Sequence, residues 1–175
     1  MGGPKALVEL GGEPLVRRAL RVLADGGCAP RVVVLGAAAD AVRAVLPGDV
    51  AVAEAADWAE GMGASLRTGL AALPPDVAAV LVHLVDLPGV TGAAVARLAD
   101  GAGPATLRRA SYHGRPAHPV VLGRDHWAGV VASAKGDAGA RDYLKANPAL
   151  ELVECADIAT PDDVDTPDAL ARWLS

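Results

Sequence analysis

Acidic side chains that could bind a metal ion stand at two points of the chain, and Asp86 is the first. It follows residues 77–85, a run in which eight of nine residues are apolar, and it precedes the turn-forming sequence LPG. The apolar, valine-rich run predicts a strand buried on both faces, as in the middle of a parallel sheet. Open α/β sheets bind ligands at the carboxyl ends of their strands. Asp86 is therefore placed either to bind a metal ion or to cap the turn through backbone N–H groups.

The second acidic cluster contains Asp162, Asp163 and Asp165 and lies near the carboxyl end of the chain. Three carboxylates within four residues repel one another, and a solvated turn with Asp or Thr as helix N-cap accounts for them. If folding places Asp163 and Asp165 opposite Asp86, the same side chains form a two-carboxylate site for one Mg²⁺.

Two glycine-rich stretches have the composition of phosphate-binding loops. The chain begins Gly2-Gly3-Pro4-Lys5 after its initial Met. Glycines let backbone N–H groups approach a phosphate and lysine adds a positive charge, although surface loops often have this composition. The sequence EGMG at 60–63 precedes a helical apolar stripe, and such a turn at a helix N-terminus suits an anion or a base edge.

Residues 105–121 predict a hairpin whose tip is the sequence HGRP at 113–116. The tip is polar and contains glycine, so residues 111–116 are predicted to be a mobile flap over the substrate. An apolar run begins again directly after His118. This residue is placed either to touch the substrate or to serve as a structural histidine bonded to backbone.

The elements that carry these residues alternate between helices and strands. This order predicts βαβ units and therefore an α/β fold. The predicted helices lie within residues 14–26, 40–46, 92–99, 123–132 and 167–174, and the predicted strands within residues 31–35, 50–53, 77–85 and 150–153.

Bulk composition excludes several classes of protein. The 175 residues fit one domain, and a net charge of −5 without a basic stripe argues against binding to nucleic acid. No apolar run approaches the roughly 18 residues of a membrane span, and no signal segment is evident. Cys28 and Cys155 lack CxxC spacing and are predicted to be buried thiols. We therefore expect a cytoplasmic protein without a membrane partner.

Several stretches, taken in order, resemble the MobA-like NTP transferases, the group of molybdenum cofactor cytidylyl- and guanylyltransferases. These are MGGPKAL at 1–7, EGMGASLRTGL at 60–70, VDLP at 85–88, HPVVLG at 118–123, GDAGAR at 136–141 and DVDTPDAL at 163–170. The resemblance implies a single Rossmann-like α/β domain over residues 1–175, of the nucleotide-diphospho-sugar transferase type. Its sheet is expected to be mostly parallel, with helices on both faces.

The resemblance also implies roles for individual residues. Lys5 and Asp86 are the expected catalytic residues, and Asp86 is expected to bind Mg²⁺ together with Asp163 and Asp165. His118 is expected on the acceptor side. The expected nucleotide-binding residues are Gly2, Gly3, Lys5, Glu60, Gly61, Met62, Gly63 and Ser65.

The implied reaction is Mg²⁺-dependent transfer of NMP from an NTP to a phosphorylated acceptor such as molybdopterin, with release of pyrophosphate. The EGMG form resembles the cytidylyl branch, so CTP is favoured and GTP remains possible. Two alternatives are an NAD(P)H-dependent small-molecule oxidoreductase and a non-catalytic nucleotide-binding protein. Family members carry a first strand and a LAAGxSxR segment directly before the MGGPK motif, and here that strand is missing. We therefore expect roughly 10–20 residues ahead of Met1.

Overall fold

Strands and helices alternate through most of residues 3–173, the part of the chain that the computed structural model describes. The helices are α1 (Leu15–Asp25), α2 (Ala39–Arg43), α3 (Met62–Ala71), α4 (Gly92–Ala99), α5 (Arg124–Ser133), α6 (Arg141–Ala146) and α7 (Pro167–Arg172). The strands are β1 (Glu9–Leu10), β2 (Glu13–Pro14), β3 (Val32–Leu35), β4 (Ala51–Glu54), β5 (Ala79–Val82), β6 (Leu107–Tyr112), β7 (Arg115–Gly123) and β8 (Glu151–Glu154). The predicted α/β class is confirmed.

The largest sheet in the described residues has the strand order β5-β7-β6-β8. β7 runs antiparallel to both β5 and β6, whereas β8 runs parallel to β6. A separate parallel pair joins β3 to β4. The pairing is thus mixed where the sequence predicted a mostly parallel sheet. The cause is the β6–β7 hairpin, because strands joined by a tight turn must run antiparallel.

Helices cover both faces of this sheet, as predicted, because successive residues of β7 point to opposite sides. Val120 and Leu122 pack with residues of α3, α5 and α6, including Leu70 and Leu144. Val121 lies between them in sequence and packs on the other face with Leu98 of α4. Each such buried side chain contributes about 1.5–3 kcal/mol to stability. The two apolar layers fix the strands whose ends carry the candidate site.

The strand predicted from residues 77–85 is shorter and pairs on one edge only. β5 forms a ladder with β7 that ends where Val82 faces Val120. The next residue of β7 is Pro119, which has no N–H to donate, so the ladder stops there. Within residues 3–173 neither the second edge of β5 nor that of β3 is paired.

A cavity of about 980 Å³ lies between β3 and β5. Much of its wall is apolar and comes from α1, α3 and the two strands, for example Leu20, Leu70, Val33 and Val80. The expected strand ahead of Met1 stays a prediction, and this cavity is where a strand between β3 and β5 would lie.

The hairpin tip is anchored, which counts against the predicted flap, although residues 113–116 are exposed. The carboxylate of Glu154 accepts hydrogen bonds from the backbone N–H groups of His113 and Gly114, at 2.9 and 3.2 Å. The same carboxylate accepts a bond from the hydroxyl of Ser111 at 2.9 Å. Ser111 and Tyr112 are each only 3% exposed. The sequence did not reveal that β8 would bring Glu154 beside the tip.

The two cysteines differ in burial. Cys155 is buried as predicted, whereas Cys28 is only partly buried, and both are free thiols. Burial raises the pKa of both thiols. No helix within the described residues has the length and apolar character that crossing a bilayer requires.

Candidate active site

Asp86 lies in the turn that connects β5 to α4. The turn is held on one side by Arg18, whose guanidinium donates two hydrogen bonds to the carbonyl of Pro88 at 3.0 and 3.2 Å. On the other side Thr91 caps α4 by accepting a bond from the N–H of Ala94. The Asp86 side chain keeps 19% of its surface exposed. The sequence around it therefore fixes the backbone and leaves the carboxylate available.

The structure brings Lys5, Asp86 and Asp165 together. The ammonium of Lys5 donates to Oδ2 of Asp86 at 2.8 Å and also to Oδ1 of Asp165. A backbone bond of 2.9 Å from the N–H of Val164 to the carbonyl of Asp86 holds the acidic segment in place. Val164 is fully buried and packs with Leu10. Asp163 and Asp165, on either side of it in sequence, are exposed.

Electrostatics favours the charged forms of Lys5 and Asp165. Burial would lower the pKa of Lys5, but hydrogen bonds to Asp165 and Asp86 outweigh that effect and raise it. The hydrogen bond from Lys5 lowers the pKa of Asp165, and a hydrogen bond with Asp163 acts in the same direction. One cation and two carboxylates therefore face one another.

The carboxylates of Asp86 and Asp165 fit a divalent cation because both already converge on one positive charge. Oxygen ligands of this kind suit Mg²⁺ and Mn²⁺. Such an ion would compete with the ammonium of Lys5 for the same oxygens. Within residues 3–173 no three His, Cys, Asp or Glu side chains form a metal-binding group. Two carboxylates would leave further coordination positions to water and phosphate oxygens, as is usual for Mg²⁺.

The structure places the predicted nucleotide-binding residues in different surroundings, and only some of them line the cavity. Gly2 lies outside the described residues, and Gly3 is exposed with open space around it. Glu60 forms an ion pair of 2.9 Å with Arg67. The two that line the cavity are Met62 and Ser65, at the start of α3.

Close packing explains why positions 61 and 63 are occupied by glycine. A Cβ at Gly61 would lie 2.6 Å from the backbone of Gly136, and one at Gly63 would lie 2.9 Å from the backbone of Ala134. Gly61 also has φ of +113°, which side chains rarely adopt. The two glycines let the start of α3 approach the loop at 134–137. A role for this segment in binding the nucleotide stays a prediction.

His118 lines the same cavity, together with three residues that sequence reasoning missed, His83, Arg109 and Arg141. The Nδ1 atoms of His83 and His118 are buried without a hydrogen-bond partner in the described structure. Burial lowers the pKa of both, that of His83 to about 4. One signal could have identified His83, since it is the single polar residue of the apolar run 77–85. Nothing local distinguished the two arginines.

Comparison with known proteins finds a matching family model and a similar curated protein. The model of the MobA-like NTP transferase domain matches residues 1–152. A curated relative, nicotine blue oxidoreductase from Paenarthrobacter nicotinovorans, is 39% identical over 183 residues, which cover 98% of this chain and 88% of that protein.

Solved structures share the fold. A crystal structure of Rv0371c from Mycobacterium tuberculosis H37Rv in complex with manganese is 28% identical with a TM-score of 0.80, covering 98% of this chain and 91% of that one. A nucleotidyl transferase from Methanothermobacter thermautotroptrophicus is 22% identical with a TM-score of 0.82, covering 97% and 85%. The second likeness concerns the fold alone.

Proposed function

Because the chain belongs to the MobA-like NTP transferase family, we propose that this nucleotidyltransferase moves NMP from an NTP to a phosphorylated acceptor such as molybdopterin. Pyrophosphate is the second product. CTP is the favoured donor, because the EGMG sequence at 60–63 resembles the cytidylyl branch of the family.

The observation that carries the proposal is the meeting of Lys5, Asp86 and Asp165 from three distant parts of the chain. Transfer of a nucleotidyl group requires positioning and charge neutralisation, and no protein nucleophile. A cation facing two carboxylates supplies both kinds of charge. The oxidoreductase alternative gives no comparable reason for such a cluster.

In the proposed mechanism Asp86 and Asp165 would hold Mg²⁺, with Asp163 adjoining them. Bound Mg²⁺ would act as a Lewis acid toward phosphate oxygens. Support for a divalent metal comes from the manganese complex of Rv0371c. Lys5, whose raised pKa keeps it protonated, stabilises the negative charge that develops on the leaving pyrophosphate. An oxygen of the acceptor phosphate bonds to the α-phosphorus as the bond from that phosphorus to the bridging α,β-oxygen breaks.

Pyrophosphate release from each of the four common NTPs, measured with molybdopterin and Mg²⁺, tests the proposal. We expect release with CTP that depends on both acceptor and metal. Equal release without acceptor would mean hydrolysis, and no release with any NTP would contradict the proposal. Preference for GTP would overturn only the choice of donor.

The 39% identity to nicotine blue oxidoreductase favours a second candidate, reduction of a small pigment by NADH or NADPH. Oxidation of NADH or NADPH measures this activity directly. It is monitored as the loss of absorbance at the maximum of the reduced nicotinamide. Turnover of nicotinamide without added metal would support the second candidate. If the protein releases pyrophosphate in a metal-dependent way and does not oxidise NADH or NADPH, the second candidate is rejected.

A further inference from the structure

Arg109 differs from the other half-buried arginines in how its guanidinium is satisfied. Its Nε donates to the carbonyl of Ala117 at 3.1 Å, and neither of its Nη atoms has a hydrogen-bond partner within residues 3–173. Every other half-buried arginine of the described chain uses at least one Nη. These are Arg18, Arg31, Arg67, Arg108 and Arg124.

A second arginine faces the same cavity. Arg141 begins α6 and lines the cavity with Arg109, and its side chain forms no ion pair or hydrogen bond with any described residue. Asp137 also lines the cavity but forms an ion pair with neither arginine. Asp76 lines the cavity as well and is likewise unpaired with them, so neither guanidinium forms an ion pair within residues 3–173.

The two positive charges affect each other. Burial lowers the pKa of Arg109, and the charge of Arg141 lowers it further. A half-buried cation with free N–H donors is unfavourable unless an anion pairs with it. The neighbouring histidines add no charge at neutral pH, because burial lowers the pKa of both His83 and His118.

Arg109 is near the candidate catalytic cluster. His118 is close enough to both Arg109 and Asp86 for each charge to influence its pKa. The carbonyl that Arg109 contacts belongs to Ala117, the residue before His118. An anionic group held by Arg109 would therefore lie beside the candidate catalytic cluster.

We propose that Arg109 and Arg141 bind the phosphate monoester group of the acceptor. The forked N–H groups of arginine match phosphate oxygens in pairs, which a lysine cannot do. This inference rests on the proposed function, because it assigns the second substrate of that reaction to one end of the cavity.

The test measures equilibrium binding of phenyl phosphate, a ring-bearing phosphate monoester, by calorimetry, with CTP and Mg²⁺ as a separate ligand. We expect Arg141→Gln and Arg109→Lys each to weaken binding of phenyl phosphate roughly tenfold or more. Binding of CTP should be unchanged. Arg115→Gln is the matched control, since Arg115 is exposed at the hairpin tip, and it should bind both ligands as the unaltered protein does.

Arg141→Gln also guards against misfolding, because Arg141 is exposed and its replacement leaves the core intact. Failure of the unaltered protein to bind phenyl phosphate, or equal affinity in Arg141→Gln, would overturn the inference. A loss confined to CTP would overturn it as well, since the arginines would then serve the nucleotide. Because binding is measured without turnover, a protein that binds phenyl phosphate here and releases no pyrophosphate would contradict the proposed function, while the two arginines would still be a site for a phosphate monoester.

Discussion

The ammonium of Lys5 lies 2.8 Å from the carboxylate of Asp86, although 81 residues separate them in the chain. The same ammonium contacts Asp165, which is 160 residues away. Contacts over such separations do not follow from local turn chemistry. They arise because the turn after β5 and the segment before α7 meet through the backbone bond between Val164 and Asp86.

Replacing Lys5 with Met should slow nucleotidyl transfer and change the ionisation of Asp165. We expect a loss in kcat of about 10²–10³-fold, the usual effect of removing one group that stabilises transition-state charge. The pKa of Asp165 should rise toward its ordinary value, because the bond from Lys5 holds it down. Steady-state kinetics and an NMR titration of the carboxylate measure the two effects. Lys145→Met, at an exposed lysine of α6, is the control and should change neither.

Stability should fall when the pH is lowered from about 6.5 to about 4, in part because of His83. Its folded-state pKa is about 4 and its ordinary value is 6.5. In that window the unfolded chain binds a proton that the folded chain does not, so protonation favours unfolding. The effect is about 3 kcal/mol at most, since part of the ring is exposed. Urea titrations across this range measure it, and His83→Leu should show a weaker dependence. An identical pH profile for that variant would contradict the prediction.

Glu154→Gln should loosen the hairpin tip that the sequence had indicated to be a flap. Backbone N–H groups of His113 and Gly114 hold the pKa of Glu154 at about 2. The carboxylate therefore stabilises the fold above its ordinary pKa of 4.5, and this contribution is lost as the pH falls toward 2. Amide hydrogen exchange at residues 113 and 114 should be faster in Glu154→Gln at neutral pH. The matched change Glu151→Gln, in the same strand, should leave that exchange as it was.

An added strand ahead of Met1 should stabilise the protein. Within residues 3–173, one edge of β3 and one edge of β5 are unpaired and border an apolar cavity of about 980 Å³. Each buried backbone group without a partner costs about 1–3 kcal/mol. We predict that an extension of roughly 10–20 residues containing one apolar strand raises the melting temperature and strengthens NTP binding. A Gly/Ser extension of equal length serves as control. Equal melting temperatures for the two extended forms would refute the prediction.

Local patterns predicted the elements well and their pairing less well. The apolar run at 77–85 predicted a strand with Asp86 beyond its end, and the helix capped by Thr91 is confirmed. The end of β5 at Val82 depends on Pro119 in a different strand, which no local pattern shows.

The parts of the site that sequence reasoning missed are tertiary in origin. Arg109 and Arg141 share a cavity only because β6 lies inside the sheet and α6 packs near it. The anchoring of the hairpin tip required Glu154 from β8, 40 residues from Gly114. By contrast, the acidic cluster near the carboxyl end could be assigned beside Asp86 by resemblance to a family, although its composition alone favoured a solvated turn.

The most direct test of the account is Mg²⁺-dependent release of pyrophosphate from CTP and molybdopterin, measured in Asp86→Asn beside the unaltered protein. The amide keeps the shape of Asp86 and lacks the charge that faces Lys5 and would hold the metal. We predict that release falls to background in Asp86→Asn while its melting temperature stays close to that of the unaltered protein. Asp162→Asn, at an exposed aspartate of the same acidic segment, should retain activity. Full activity in Asp86→Asn would contradict the assignment of this site.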